Sequence, residues 1–113
     1  MTIDEATFES LAAATLQRFA QRIEDAADDL DVELEEGILT VETSDGATYL
    51  INKHAPLRQI WLSSPISGAG HFGYDDEARA WTSTRGGEPL LTVLERELSQ
   101  AAGAPIDLRE ATP

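Results

Sequence analysis

Residues 31–52 read DVELEEGILTVETSDGATYLIN, and they contain the pattern that decides the fold class. The first five residues alternate between acidic and apolar, the period of a half-buried strand, which predicts that Val32 and Leu34 face a core. The dipeptide EG at 36–37 predicts a tight turn, and SDG at 44–46 predicts a hairpin between the next two strands. Strands joined by such short turns favour an antiparallel sheet.

Amphipathic helices are predicted on either side of this region. Apolar residues recur at steps of three and four from Asp4 to about Asp28, and again from Pro89 to about Ala102. Thr2 or Asp4 is the expected N-terminal cap of the first helix. Each helix has one apolar face, so each is expected to cover the sheet.

Three further strands are predicted, at residues 59–63, 71–74 and 79–83, and the last two are short. Residues 64–70 are predicted to be a loop, and Ile106 and Leu108 are spaced to dock an extended tail onto the core. The whole pattern predicts an α+β fold, a two-layer α/β sandwich with an antiparallel sheet of five to six strands and the N- and C-terminal helices packed on one face. A chain of 113 residues is long enough for one such core, so we expect a single domain over residues 1–113.

Charge is segregated along the chain. The 21 acidic and eight basic residues give a net charge of −13, and residues 1–45 hold 13 of the acids but only two of the bases. Nucleic-acid binding needs a basic stripe, so this class of partner is excluded. Cysteine is absent, which excludes disulfides and thiolate metal sites, and no run of 18 apolar residues could span a membrane. The N-terminus lacks the basic and apolar regions of a signal peptide, so the protein is expected to remain where it is made.

Eight acids and no base lie in residues 24–36. In the predicted helix, Glu24 and Asp28 form a like-charge pair four residues apart, as do Asp25 and Asp29, and each pair costs about 0.2–0.5 kcal/mol. The helix dipole also disfavours acids at this end. A bound cation or a basic partner would relieve the repulsion, and oxygen-only ligands suit hard cations and ferrous or ferric iron better than zinc or copper. The alternative interpretation is a solvated acidic surface, or the general acidity of a protein from a salt-loving host.

Trp61 lies in the strand predicted for residues 59–63. Alternation puts Ile60 and Leu62 on one side of this strand and Trp61, with polar neighbours, on the other. If the aliphatic side chains face the helices, Trp61 lies on the open side of the sheet, where an exposed Trp is a candidate anchor for a protein partner. The alternative is a reversed register in which Trp61 belongs to the core.

No arrangement of residues predicts catalysis. His54 and His71 have no partner at the spacing that a metal site or a nucleophile requires, and neither a phosphate-binding glycine loop nor a G-x-S-x-G motif is present. Both histidines are interpreted as ordinary surface or hydrogen-bonded residues. We therefore expect a protein that works by binding rather than an enzyme.

Residues 52–68, NKHAPLRQIWLSSPISG, resemble the signature of the frataxin family, including its bacterial CyaY-type members. The pattern N-K-Q-x-P-x-x-Q-I-W-L-S-S-P-x-S-G is matched almost throughout, and the resemblance extends from Phe8 to Leu108. His54 departs from the pattern, because the family usually has Gln there. His71 stands where eukaryotic members often have a basic residue.

The resemblance implies iron binding along the first helix and first strand, and docking on the iron–sulfur cluster assembly machinery. By position, the implied iron ligands are Glu24, Asp25, Asp28, Asp29, Asp31 and Glu33, with Glu5 and Glu9 as further candidates. The implied partner-contact residues are Asn52, Arg58, Gln59, Trp61 and His71. The implied partners are the cysteine desulfurase and the scaffold protein, because the family modulates sulfur transfer and cluster synthesis.

The resemblance favours an iron-binding regulator of iron–sulfur cluster assembly, with Fe²⁺ or Fe³⁺ bound weakly at the surface. One alternative is an iron store or weak ferroxidase that oligomerises, and another is a metal-independent acidic interaction module. A monomer is expected, with iron-dependent oligomers as a further option. The expected location is the cytoplasm of a bacterium or, for a processed eukaryotic form, the mitochondrial matrix.

Overall fold

The computed structural model describes residues 3–109, which form two helices and one six-stranded sheet. In chain order the elements are α1 (Glu5–Ala26), β1 (Asp31–Glu35), β2 (Ile38–Glu42), β3 (Thr48–His54), β4 (Gln59–Ser64), β5 (Gly68–Asp75), β6 (Ala80–Ser83) and α2 (Leu90–Ala102). Each strand pairs antiparallel with the next, so the sheet order is β1-β2-β3-β4-β5-β6. The helices cover one side of the sheet, and the other side, which we call the open face, meets solvent. The predicted α+β sandwich is confirmed.

The core lies between the sheet and the two helices. α1 contributes a stripe at helical spacing that includes Phe8 and Ile23, both fully buried. Every second residue of the central strands faces this stripe, as the buried Ile60 of β4 illustrates. The C-terminal tail packs on the core as predicted, because Ile106 and Leu108 are buried.

α1 begins at Glu5 because Asp4 caps it. The Asp4 carboxylate accepts a 2.7 Å hydrogen bond from the Thr7 N–H. This bond holds the pKa of Asp4 below its ordinary value. Asp4 is therefore confirmed as the cap, whereas Thr2 lies outside the described residues. Neither helix in residues 3–109 offers an apolar stretch long enough to cross a bilayer.

α1 ends at Ala26, two residues before the predicted end at Asp28. Ala27 is already extended, with φ of −149°, and the last turn contains no basic residue that would balance the helix dipole. Asp28 and Asp29 therefore lie in the turn before β1. The predicted repulsion between acids four residues apart in the helix is wrong, because two of the four acids lie outside it.

β1 is an edge strand, and only part of its predicted core side is buried. Val32 packs against the core, but Leu34 is 36% exposed. Leu34 borders a surface groove beside α1 that is lined mostly by polar helix side chains, among them Gln17 and Gln21. The predicted core position of Leu34 is therefore only partly correct.

β4 runs to Ser64 and β5 begins at Gly68, three residues before the predicted start, so the loop predicted for residues 64–70 is confined to residues 65–67. Gly70 pairs with Leu62 of β4. A Cβ atom at Gly70 would lie only 2.9 Å from the Phe72 ring. Gly70 therefore provides packing space for this ring within a strand, and it does not mark a flexible segment.

Candidate functional site

The open face carries a row of side chains from three central strands. The register places Asn52 of β3 opposite Trp61 of β4, and Trp61 opposite His71 of β5. Ile60 and Leu62 flank Trp61 in sequence and are buried on the helix side. Trp61 therefore points to the open face, and the alternative register that would put it in the core is wrong.

Trp61 is held between two histidines. The His54 ring stacks on the indole with 3.7 Å between centroids and 9° between planes, and the His71 ring stacks at 4.3 Å and 15°. Because β3 and β5 flank β4, the two imidazoles approach the indole from opposite sides. The indole Nε1–H donates a 2.8 Å hydrogen bond to Gln59 Oε1. The indole is thus fixed while still half-buried, as a preorganised anchor would be.

The two histidines are the part of this surface that the sequence interpretation missed. Their spacing along the chain fits no metal or catalytic motif, so the sequence predicts only ordinary surface or hydrogen-bonded histidines. The signal was the strand register, since a hairpin that pairs Asn52 with Trp61 brings His54 next to the indole. Nδ1 of His54 is buried and has no hydrogen-bond partner in the described part of the chain.

The two basic side chains nearest this row interact away from the open face. Lys53 forms a salt bridge with Glu9 of α1. Arg58 lies in the β3–β4 turn with φ of +52°. The pKa of Asp4 is lowered first by its hydrogen bond with Thr7 and additionally by the Arg58 charge, which places Arg58 near the start of α1. Of the predicted contact residues, four share the open face and Arg58 lies at its margin; the four are Asn52, Gln59, Trp61 and His71.

Six of the predicted iron ligands are exposed along the end of α1, the following turn and β1. We call this set the acidic ridge: Glu24, Asp25, Asp28, Asp29, Asp31 and Glu33. Glu5 lies in the first turn of α1, roughly 28 Å along the helix from Glu24. Glu9 is engaged by Lys53. The structure therefore separates Glu5 and Glu9 from the ridge.

Glu42 extends the acidic ridge onto β2 and was not predicted. It is the direct cross-strand partner of Asp31, and both side chains are exposed. Together with Glu33 they line a shallow surface pocket. Like charges directly opposite each other destabilise an antiparallel pair, so a cation or a basic side chain bound here would relieve repulsion. The two-residue turn at 36–37 fixes this register, and that turn was the available signal.

The ridge does not form a metal cage. No three His, Asp or Glu side chains within residues 3–109 are grouped so that they could hold one metal ion. Carboxylates that lie separately in water can offer a hard cation only one or two ligands, with water filling the remaining positions. Such an arrangement suits weak binding at several places.

A buried hydrogen-bond network holds the β4–β5 turn at one end of the open face. Glu97 of α2 is 3% exposed and accepts hydrogen bonds from Ser64 Oγ at 2.6 Å and from the Tyr49 hydroxyl at 3.0 Å. Ser64 Oγ in turn accepts from the N–H groups of Ile66 and Ser67, each at 3.0 Å. Burial, and then the bond with Glu97, raises the pKa of Tyr49 to about 12. Sequence patterns assign a helical acid to solvent, so the role of Glu97 was not predicted.

Comparison with known proteins gives consistent matches over almost the whole chain. The family model of the frataxin-like domain matches residues 1–104. The chain is 37% identical over 110 residues to the iron–sulfur cluster assembly protein CyaY of Pseudomonas putida (strain GB-1), covering 97% of this chain and 99% of that protein. It is 40% identical over 104 residues to the CyaY protein of Thioalkalivibrio sulfidiphilus, with 90% and 96% covered. It is 37% identical over 111 residues to mitochondrial frataxin of Arabidopsis thaliana, spanning 94% of this chain and 59% of the plant protein.

Solved structures agree with the sequence matches. Frataxin from Psychromonas ingrahamii superposes with a TM-score of 0.84 at 26% identity, covering 96% of this chain and 100% of that one. Trimeric frataxin from the yeast Saccharomyces cerevisiae, in complex with ferrous iron, superposes with a TM-score of 0.62 at 33% identity, covering 91% and 89%. With its sequence, its fold and the family model in agreement, the chain belongs to the frataxin family.

Proposed function

We propose that this protein is an iron-binding accessory protein of iron–sulfur cluster assembly, which docks on the cysteine desulfurase and the scaffold protein and modulates sulfur transfer or iron supply. The observation that carries the proposal is the separation of two surfaces. One is the acidic ridge at the β1 edge, and the other, which we call the Trp61 row, consists of Asn52, Trp61 and His71 at the centre of the open face. Relatives that cover nearly the whole chain carry the name iron–sulfur cluster assembly protein, which supports the pathway.

The acidic ridge is the proposed site for iron and for a basic surface of the desulfurase. Its exposed carboxylates supply the oxygen ligands that hard cations prefer, and their separation predicts low affinity. The same charges attract a basic partner surface over a distance of about 8–10 Å in physiological salt. Iron and the desulfurase are therefore expected to compete for the ridge.

The Trp61 row is the proposed contact with the scaffold protein. A stacked, half-buried indole offers a large apolar surface at low entropic cost, which is the usual chemistry of an interface hot spot. Its neighbours Asn52 and Gln59 are amides that can form hydrogen bonds at the rim. This surface is uncharged at neutral imidazole, so its binding should depend little on salt.

The test compares two pairs of charge reversals on the intact chain. Asp28→Lys with Asp29→Lys changes the ridge, and Asp76→Lys with Glu77→Lys makes the same charge change in the exposed β5–β6 turn. We expect the ridge pair to lose most iron binding and the salt-sensitive part of desulfurase binding, measured by calorimetry at two salt concentrations. The turn pair is expected to retain at least half of each affinity. Equal losses in both pairs would show that net charge, and not the ridge, controls binding.

An iron store that oligomerises is the second candidate function. The observation in its favour is the similarity to a trimeric yeast frataxin in complex with ferrous iron. Growth in particle size on adding Fe²⁺ in air, together with oxygen consumption, would support it. An unchanged size with intact desulfurase binding would favour the docking role.

For either function we propose a bacterial cytoplasmic location, with the mitochondrial matrix as the alternative, on the basis of the bacterial and plant relatives.

A further inference from the structure

We propose that His54 is the pH-sensitive half of a clamp on Trp61: neutral imidazole holds the indole ready for docking, and protonation of His54 releases it. The proposal rests on the proposed function for the identity of the docked partner, but the clamp itself is a property of the free protein. The clamp consists of His54, Trp61 and His71.

The stacking geometry makes the two imidazoles supports for the indole. The closer and more parallel contact is that of His54, with 3.7 Å between centroids and 9° between planes. Stacking of an imidazole on the indole stabilises the pair about as much as stacking between other aromatic rings. The two stacks therefore restrict the Trp61 rotamer in addition to the Gln59 hydrogen bond. A partner therefore meets an indole whose orientation is already selected.

The two histidines differ in what protonation would cost. Neutral imidazole has one N–H donor, and imidazolium has two. Nδ1 of His54 is buried without a partner, so neutral His54 fits the stack with its proton on Nε2. Protonation would create a second donor at Nδ1 that no acceptor meets, and a buried donor without an acceptor is unfavourable. Protonation also strengthens the attraction between the imidazole and the indole face. Only a ring turned toward water gives the new Nδ1–H an acceptor, however, so we expect the protonated ring to leave the stack. Within residues 3–109, His71 has no buried nitrogen without a partner, so it lacks this constraint.

No neighbouring charge on the sheet offers His54 an acceptor. Five acidic side chains from the strands lie on the open face. Four belong to β1 and β2 and one to β5: Asp31, Glu33, Glu35, Glu42 and Asp75. The cross-strand partner of His54 in β4 is the neutral Gln59, and β6 contributes no charged side chain to this face. The bases of adjoining segments are directed elsewhere, with Lys53 paired to Glu9 and Arg58 near Asp4. In the described part of the chain neither imidazole takes part in an ion pair.

Release of the clamp would lower the affinity for the partner for two reasons. A free indole must be ordered again when the partner binds. A protonated His54 also brings a charge into a surface that docking removes from water. If only the form with neutral His54 docks, the affinity falls in proportion to the fraction of molecules in which His54 is neutral.

The first test is a titration of the free, ¹⁵N-labelled protein from pH 8 to pH 5 by NMR, with the two indole resonances assigned through Trp61→Phe. We expect the Nε2–H tautomer of His54 at pH 8. As His54 protonates, the Trp61 Nε1–H resonance should shift, and the ring-current displacement of the His54 ring protons should collapse. His71→Gln is expected to retain this step, and His54→Gln to lose it. An Nδ1–H tautomer, or a stack that survives protonation, would overturn the clamp.

The second test measures the affinity for the purified scaffold–desulfurase complex at pH 7.5 and pH 5.5. His54→Gln is the reference, because its amide stays uncharged at both pH values. Measured with the same partners in the same buffers, it reports every effect of pH other than protonation of His54. The wild-type chain is expected to lose at least about threefold more affinity than His54→Gln between the two pH values. Equal losses would show that His54 does not control docking. If the wild type fails to bind at pH 7.5, the proposed function fails, and the NMR titration still decides the clamp.

Discussion

The indole Nε1–H of Trp61 donates its hydrogen bond to Oε1 of Gln59, two residues earlier on the same side of the same strand. One strand thus supplies both the indole and the acceptor that orients it, while the neighbouring strands supply His54 and His71. The sheet therefore places an aromatic side chain on its solvent side with its polar group already satisfied. When a partner displaces the water around this indole, the Nε1–H therefore keeps its hydrogen bond.

Trp61→Ala is expected to weaken scaffold binding by about thirtyfold, or about 2 kcal/mol, because it removes the anchor of the open face. The matched control is Trp81→Ala, since Trp81 is 6% exposed and its indole donates to Thr15 Oγ1 within the core. That change should cost about 3–5 kcal/mol of the free energy of unfolding. A binding titration with the scaffold measures the affinity, and thermal and denaturant melts of both variants measure the free energy of unfolding. A loss for Trp61→Ala as large as that for Trp81→Ala would mean that Trp61 is structural.

Gly70→Ala is expected to lower the free energy of unfolding by about 1–3 kcal/mol, because the new Cβ would lie 2.9 Å from the Phe72 ring. Gly73→Ala in the same strand meets no heavy atom within 4 Å. It should be neutral or should stabilise by about 0.4–1 kcal/mol through the unfolded chain. Urea unfolding of the two variants distinguishes the sites. Similar values for both would contradict the packing role of Gly70.

Glu42→Lys is expected to stabilise the fold by about 0.2–1 kcal/mol, because it converts the like-charge pair with Asp31 into an attractive one. Glu42→Gln, which only removes the repulsion, should give a smaller gain. Both gains should shrink in 1 M salt, where charges are screened within about 3 Å. Equilibrium unfolding at low and high salt measures this. Destabilisation by Glu42→Lys at low salt would refute the pairing.

The buried Tyr49 makes stability depend on pH in the alkaline range. Burial and the hydrogen bond with Glu97 raise its pKa from 10.0 to about 12. A pKa raised in the folded state contributes stability that is complete below pH 10 and is lost as the pH rises to about 12. The loss should reach about 2 kcal/mol at pH 12 in the wild type relative to Tyr49→Phe. Unfolding curves from pH 9 to 12 test this, and parallel curves for the two proteins would argue against a buried, hydrogen-bonded hydroxyl.

The sequence predicted the architecture because the fold is dominated by local patterns. Alternation and turn residues specify the hairpins of a meander in which every strand pairs with its neighbour, so no long-range choice was needed. The errors arose where long-range packing overrides local propensity. Gly70 has the composition of a loop residue, but it lies in a strand where a Cβ atom would meet the Phe72 ring. The end of α1 was placed late because apolar periodicity continued through Ala27.

The site was predictable where its members are exposed by simple alternation, as with Trp61, or gathered in one segment, as with the acidic ridge. It was not predictable where several strands contribute. His54 and His71 are 17 positions apart and meet only through Trp61. Glu97 is hidden in a helix whose pattern assigns acids to solvent, yet it is buried among hydroxyl donors. Cross-strand neighbours follow from the sequence only once the length of each turn has been used to fix the register, and buried polar networks are not contained in the spacing along the chain at all.

Cluster formation by the purified desulfurase and scaffold, followed optically with and without this protein, tests the central claim of docking through two surfaces most directly. We predict that the wild-type chain changes the initial rate at least about twofold in either direction, whereas a chain with Trp61→Ala, Asp28→Lys and Asp29→Lys leaves it unchanged. The Asp76→Lys, Glu77→Lys chain should act like the wild type. An unaltered rate with the wild type, or an equal effect from the chain with both surfaces changed, would contradict the claim.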